Sequence, residues 1–115
     1  MSIATKDQRR AQTAWRLVNL RGQADGVTYR ALSKGFPALV HACGVCQALS
    51  FAAAKPRYRG YLEDLAQVVG AASVCELLQK GREAALADYL QLTREVMRAA
   101  MWLARYAEAL HGGGD

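Results

Sequence analysis

The sequence has little of what a β-sheet, a disulfide framework or an export signal requires. Its 115 residues include two prolines, three cysteines and two histidines, and threonine and valine are sparse beside alanine. Alanine favours helices and β-branched residues favour strands, so this composition predicts helices and argues against an all-β domain. A chain of this length has room for one domain with one modest core.

No segment has the pattern of a membrane span or a signal peptide. Residues 35–54 are uncharged and long enough to cross a bilayer, but they contain Pro37, Gly44 and Gln47. Polar and helix-breaking groups are costly at the centre of a bilayer. The chain is polar through Arg10 and so lacks the apolar segment of a signal peptide. We therefore expect a cytoplasmic protein with free thiols.

Acidic residues are missing from the middle of the chain, between Asp25 and Glu63. Residues 1–59 hold ten basic and two acidic side chains, whereas residues 60–115 hold five basic and eight acidic ones. A folded chain with this asymmetry should present one positive face. Positive faces attract polyanions such as nucleic acids.

Capping signals and apolar periodicity predict a succession of helices. Thr5-Lys6-Asp7-Gln8 has the spacing of a capping box, and Ala14, Trp15 and Val18 mark a buried stripe behind it. Gly35 and Pro37 predict a break, and Cys43-Gly44 predicts a kink. Residues 86–110 contain neither glycine nor proline and carry the strongest helical pattern.

The predicted fold class is therefore all-α. We expect a single compact bundle of about five to seven helices with a long C-terminal helix. The domain should cover residues 1–111, followed by a flexible glycine-rich tail at 112–115.

The cysteines suggest a thiol or zinc module as one alternative. Cys43 and Cys46 form a CxxC motif, and His41 and Cys75 could complete a set of four zinc ligands. No strand precedes the motif, as redox CxxC sites normally require, and His41 lies only two residues from Cys43. Cys75 lies in an apolar helix, where cysteine behaves as a small core residue. We therefore predict no metal and no cofactor.

Catalytic motifs are also missing. The chain has no G-x-S-x-G, no phosphate-binding glycine loop and no H-E-x-x-H. Glu63 and Asp64 are adjacent, so on a helix they point about 100° apart and cannot act as a paired acid and base. The sequence predicts a protein that is not an enzyme.

Basic and aromatic residues alternate at Arg57, Tyr58, Arg59 and Tyr61. This mixture suits a single-stranded nucleic acid, because guanidinium groups pair with phosphates while exposed bases can stack on aromatic rings. The alternative, equally open, is that Tyr61 is a core residue and Tyr58 a half-exposed turn residue. Charge placement predicts phosphate contacts at Arg9, Arg10, Arg16, Lys55, Arg57 and Arg59.

A second candidate surface lies on the C-terminal helix. Trp102 falls on the side opposite the apolar stripe, beside Arg98 and Arg105. Tryptophan and arginine are enriched at the centres of protein interfaces. We therefore predict a protein-contact patch at these three residues.

A series of short segments, each of them mostly core, is spread over nearly the whole chain. The segments are Asp7-Gln8-Arg9-Arg10-Ala11, Tyr29, Leu32, Phe36-Pro37-Ala38-Leu39-Val40, Gly44-Val45, Leu49-Ser50-Phe51, Tyr89-Leu90, Thr93, Glu95 and Trp102-Leu103-Ala104-Arg105-Tyr106-Ala107. In their order and spacing they resemble the family of small helical subunits of the type III-B CRISPR effector, the Cmr complex. At Cys43 the chain departs from this family, because similar proteins usually have asparagine before the glycine.

The resemblance implies a non-catalytic building block of an antiviral ribonucleoprotein. Similar subunits stack end to end beside the larger backbone subunits and help line the channel in which target RNA pairs with the guide RNA. Base pairing would then read the sequence while the protein grips the backbone. The implied partners are other Cmr subunits, further copies of the chain, and guide and target RNA, with only weak self-association of the chain alone. A helical DNA-binding regulator remains the other alternative.

Overall fold

Five α-helices account for most of residues 4–21 and 23–112, which a computed structural model of the protein describes. No strand occurs in these ranges, so the predicted all-α class and the long C-terminal helix are confirmed. The predicted flexible tail lies outside the described residues except for Gly112. The helices are α1 (Lys6–Asn19), α2 (Gln23–Ala53), α3 (Arg59–Val69), α4 (Val74–Glu83) and α5 (Leu86–His111), and a short 3-10 turn, Pro56–Tyr58, precedes α3.

The predicted capping box at the start of α1 is present. The Thr5 hydroxyl accepts a hydrogen bond from the Gln8 backbone N–H at 3.0 Å. The Gln8 side-chain oxygen in turn accepts one from the Thr5 backbone N–H at 2.7 Å. Two of the N–H groups that a helix start leaves unpaired are thereby satisfied.

The predicted break at Gly35 and Pro37 is wrong, because α2 runs through both residues. A proline inside a helix removes one hydrogen bond and disfavours the preceding turn. Here the neighbouring side chains Phe36 and Val40 are buried in the core. Tertiary packing of this apolar face outweighs the local preference of one residue.

The predicted kink at Gly44 is confirmed. Gly44 has φ 85° and ψ 163°, a conformation that is essentially restricted to glycine. The Cys46 backbone N–H, just beyond the kink, donates instead to the Tyr89 hydroxyl of α5 at 3.2 Å. The kink therefore divides α2 into two halves, and this hydrogen bond connects the start of the second half to α5.

Helix α5 is the centre of the fold, with α1 and α2 packed along it. Helix α1 runs parallel to α5, since Asp7 contacts Trp102 and Val18 contacts His111. Helix α2 runs antiparallel, as the Arg30–Glu108 ion pair near its start shows. Helix α3 contacts all three, α4 covers the second half of α2, and the body measures 43 × 42 × 22 Å.

The inward stripe predicted on α5 is correct over most of its length. Val96, Ala100 and Leu103 are fully buried. At the start of the helix, however, Leu86 and Leu90 are 75% and 50% exposed. These first turns extend past the helices that cover the rest of the stripe.

Between Gly26 and Ala53, α2 is long and apolar enough to cross a membrane by length and composition alone. In this fold one face of the helix packs into the protein core, while Val27 and Phe51 are 67% and 46% exposed. Phe36, Val45 and Leu49 are almost completely buried against other helices. We therefore interpret α2 as a core helix.

One buried ion pair joins three helices. Asp64 of α3 is 3% exposed, and its Oδ2 accepts from Arg21 Nη2 at 2.9 Å and from Arg21 Nε at 3.2 Å. The Tyr29 hydroxyl of α2 donates to the same oxygen at 2.8 Å. Burial, followed by the nearby Asp64 charge, raises the pKa of Tyr29, so this phenol stays a hydrogen-bond donor.

Asp64→Asn should lower the free energy of unfolding by about 2 kcal/mol, because it leaves the partly buried Arg21 guanidinium without its counter-charge. Glu63→Gln is the matched control. It removes a neighbouring, exposed carboxylate and should change stability by less than about 0.5 kcal/mol. Urea denaturation measures both. Equal effects in the two variants would contradict a structural role for Asp64.

Gly44→Ala should destabilise the protein by about 2 kcal/mol, because a Cβ is strained at this backbone conformation. Gly35→Ala, in the same helix, is the control. A Cβ there meets nothing within 4 Å, so this change should raise stability by about 0.5 kcal/mol. Thermal and urea denaturation test the pair, and a stabilised Gly44→Ala protein would show that the kink is not required.

Candidate nucleic-acid interface

Three of the six predicted RNA-contacting residues lie together between the end of α2 and the first residue of α3. We call residues 55–59 the basic turn. Lys55, Arg57 and Arg59 are all exposed there, and none forms an ion pair within the described residues. Pro56 begins the 3-10 turn at the point where α2 has ended. The turn therefore carries three cations that are available to an anionic partner.

The tyrosines of this segment point into the protein. Tyr58 is 7% exposed and Tyr61 1% exposed, and their rings meet edge to face with centroids 6.2 Å apart. Of the two alternatives left open by the sequence, the core position of Tyr61 is confirmed, while exposed rings for base stacking and the half-exposed position of Tyr58 are both wrong. Neither ring is available to stack on a base. The two aromatic rings instead anchor the basic turn to the core.

The cations of α1 divide into two groups. Arg9 and Arg16 are exposed and lie two turns apart along the helix. Arg10 is 8% exposed, and its Nη1 lies 3.4 Å from Asp7 Oδ1. The expectation that Arg10 shares an exposed basic surface is therefore corrected, because its charge is buried and paired within α1.

Sequence reasoning overlooked Arg21 and Asp64. Arg21 reaches from the end of α1 to the start of α3, where its Nη2 also donates to the Gly60 carbonyl at 2.9 Å. The available signal was an acidic residue within the apolar stripe of α3, since Tyr61, Leu65 and Val68 flank Asp64 and are buried. A carboxylate at such a position needs a buried partner.

The second candidate surface, at Trp102, differs from the prediction. The Trp102 side chain is half-buried and stacks on Tyr106 with centroids 5.5 Å apart. Its indole N–H donates to Asp7 Oδ1 at 3.0 Å. This side of α5 is not free, because α1 packs against it. The expectation of an exposed indole is therefore corrected.

Arg98 and Arg105 do remain exposed beside this contact. Together with Asp7, Met101 and Trp102 they line a cavity of about 470 Å³. Met101 is 52% exposed. The predicted protein-contact patch thus keeps its two arginines, with methionine as its main apolar surface.

Trp15 takes the exposed position that was predicted for Trp102. It was expected in the buried stripe of α1 but is 46% exposed. Its ring meets the edge of Tyr106 at 5.2 Å. The two tryptophans therefore flank one tyrosine, with Trp102 on the inner side and Trp15 on the outer side.

The thiols occupy three separate environments. The Cys43 thiol donates to the Leu39 carbonyl at 3.1 Å, Cys46 is half-buried, and Cys75 is exposed. His41 is exposed on α2. Among the side chains that the structure describes, which leave out residues 22–25, no three from histidine, cysteine or acidic residues are grouped closely enough to hold a metal ion.

Trp102→Phe should raise the pKa of Asp7. The indole hydrogen bond is the main cause that holds the pKa of this carboxyl below its ordinary value, with Arg10 contributing less. Trp15→Phe changes a tryptophan that makes no hydrogen bond to Asp7 and should leave the pKa unchanged. An NMR titration of the Asp7 carboxyl measures both. An unchanged pKa in Trp102→Phe would show that the hydrogen bond does not form in solution.

Comparison with known proteins gives one consistent family. The model of the family described as CRISPR-associated protein (Cas_Cmr5) matches residues 6–110. The chain is 40% identical over 111 residues to the CRISPR system Cmr subunit Cmr5 of Thermus thermophilus, covering 94% of this chain and 97% of that protein. The crystal structure of a CRISPR-associated Cmr5 family protein from the same organism superposes with a TM-score of 0.85 at 41% identity, covering 93% of this chain and 98% of the other. The resemblance predicted from the sequence is therefore confirmed, and the chain belongs to the Cmr5 family of CRISPR-associated proteins.

Proposed function

We propose that this protein is a non-catalytic subunit of a type III-B Cmr ribonucleoprotein and that its basic turn contacts the RNA backbone. The observation that carries the proposal is the arrangement of Lys55, Arg57 and Arg59 above a buried aromatic anchor. Cations held on a fixed turn can neutralise phosphates without recognising bases. The sequence of the target would then be selected by base pairing with the guide.

We also propose phosphate contacts at Arg9 and Arg16 of α1. Both are exposed. We leave Arg10 out, because a guanidinium that is buried against Asp7 cannot reach a phosphate. The patch at Arg98 and Arg105 is the proposed contact with a protein partner, with Met101 as its apolar part.

The proposed partners are the other Cmr subunits, further copies of this chain, and guide and target RNA. The proposed setting is the cytoplasm, where the complex would act in antiviral defence. The isolated chain should associate with itself only weakly, because head-to-tail contacts become stable when other subunits complete the assembly. The charge asymmetry supports contacts of this kind. Glu76, Glu83, Asp88 and Glu95 line the groove between α4 and α5, where Lys80 pairs with Glu76 and Lys6 pairs with Glu95. Glu83 and Asp88 are the acids of this groove that form no ion pair within the described residues, and they could face the basic turn of another copy.

The two adjacent acids of α3 do not form the acid–base pair of an enzyme. Asp64 is buried in the ion pair with Arg21, and Glu63 is exposed beside it. The DNA-binding alternative needs a recognition helix that follows a tight turn. Residues 38–41, the short apolar segment after Pro37, do not form such a helix, because they lie within the first half of α2 with no turn before them.

Arg57→Glu combined with Arg59→Glu should weaken binding of unrelated single-stranded RNA sequences to the same extent, because phosphates are contacted and bases are not. The dependence of affinity on salt should also become shallower, by about 0.7 in the logarithmic slope for each phosphate that is no longer neutralised. Fluorescence anisotropy with labelled RNA at several salt concentrations measures both quantities.

Arg82→Glu combined with Arg94→Glu is the control. It makes the same change in net charge at exposed positions on α4 and α5. This variant should keep most of the RNA affinity. Equal losses of RNA affinity in the two double variants would mean that overall charge, and not the basic turn, causes the effect. A loss of affinity for one RNA sequence alone would favour base recognition.

A further inference from the structure

We infer that a small pocket beside the basic turn binds a single phosphate group. This inference rests on the proposed function and deepens it, because it assigns one phosphate of the bound RNA to a defined place. The pocket has a volume of about 170 Å³ and includes Arg21, Thr28, Arg57, Gly60 and Tyr61 in its wall. Sites for drug-sized ligands usually measure about 300 Å³ or more, so this pocket suits a group of phosphate size.

The first phosphate-binding group is Arg21, whose position is fixed by the fold. Its Nε and Nη2 groups are engaged with Asp64 and with the Gly60 carbonyl. A guanidinium has five N–H donors, so the two on Nη1 are left for another acceptor. Nη1 also lies close to Gly60, where a Cβ would come within 2.7 Å of it. The absence of a side chain at Gly60 gives Arg21 the room to face the pocket.

The second phosphate-binding group is Arg57, which contributes from the basic turn. Arg57 is exposed and makes no ion pair within the described residues. The Arg21 charge is largely balanced by Asp64 at 2.9 Å. Arg57 therefore supplies most of the net positive charge of the pocket, while Arg21 supplies fixed donors. Two guanidinium groups from different elements suit the oxygens of a phosphate.

Two hydroxyl groups complete the site. Thr28 is exposed at the start of α2. The Tyr61 hydroxyl is buried and is a polar atom without a hydrogen-bond partner among the described residues. Buried polar groups are almost always hydrogen-bonded, so this hydroxyl lacks a partner. It has almost no accessible surface, so a phosphate would accept its hydrogen bond only after the pocket wall moves to admit it. Burial raises the pKa of Tyr61, which keeps it protonated and able to donate.

The matched test compares Arg57→Ala with Arg59→Ala. Both variants remove an exposed arginine from the same turn, but only Arg57 lies in the wall of this pocket. Titration of the full-length protein with inorganic phosphate, followed by NMR of the backbone amides, should perturb Gly60 and Tyr61 first. Arg57→Ala should weaken phosphate binding on the order of tenfold, the usual effect of a charge-assisted hydrogen bond. Arg59→Ala should change it by less than about twofold.

Tyr61→Phe provides a second measurement, because it removes the hydroxyl and keeps the ring. It should weaken phosphate binding without unfolding the protein. Equal effects of Arg57→Ala and Arg59→Ala, or phosphate shifts spread over all exposed arginines, would overturn the pocket. An unchanged affinity in Tyr61→Phe would remove this hydroxyl from the site and overturn its assigned role.

An experiment with RNA distinguishes a phosphate of the RNA backbone from a terminal phosphate. The two alanine variants are compared on one RNA with and without a 5′-terminal phosphate. A larger loss for Arg57→Ala on both RNAs supports a backbone phosphate, and a larger loss only on the phosphorylated RNA supports a terminal one. If both alanine variants lose the same RNA affinity and the protein binds inorganic phosphate at no specific site, the pocket is overturned while the proposed function stands. Specific binding of inorganic phosphate by a protein that binds no RNA would overturn the proposed RNA contact and support the pocket as a site for free phosphate.

Discussion

A single buried carboxylate connects the elements on which the rest of the structure depends. Asp64 of α3 accepts hydrogen bonds from Arg21 at the end of α1 and from Tyr29 near the start of α2. Each contact joins residues at least 35 positions apart in the chain. A charge in this environment is tolerated only when it is paired and hydrogen-bonded, so the three helices must meet in one arrangement. That arrangement also fixes the start of α3, immediately after the basic turn.

The basic turn shows how a rigid core presents charge to solvent. Tyr58 and Tyr61 fill the core side of the segment, so the cations between and beside them are left on the outside. Exposed basic groups on an anchored turn lose less conformational freedom on binding than the same groups on a mobile loop. This division of roles accounts for the alternation of aromatic and basic residues without base stacking.

The sequence predicted the three exposed cations of the basic turn and misjudged Arg10 and Arg21. Lys55, Arg57 and Arg59 could be identified because they surround a proline that ends a helix. Arg10 could not be separated from its neighbours, because its burial depends on the way α1 packs on α5. Arg21 was overlooked for the complementary reason. The structural role of Arg21 depends on its ion pair with a carboxylate 43 residues away. No pattern of neighbouring residues can reveal a partner at that sequence distance.

Local physics determined the all-α class, the capping box at Thr5, the kink at Gly44 and the length of α5. These features depend on backbone dihedral angles and on hydrogen bonds between residues close in sequence. Only the tertiary structure decided which tryptophan is inside and whether Pro37 interrupts α2. A helix face is buried only when another helix covers it. Apolar periodicity identifies the apolar face of a helix, but it does not tell how many other helices pack against that helix. Because α5 is covered on more than one side, a residue opposite its apolar stripe, such as Trp102, still packs against the fold.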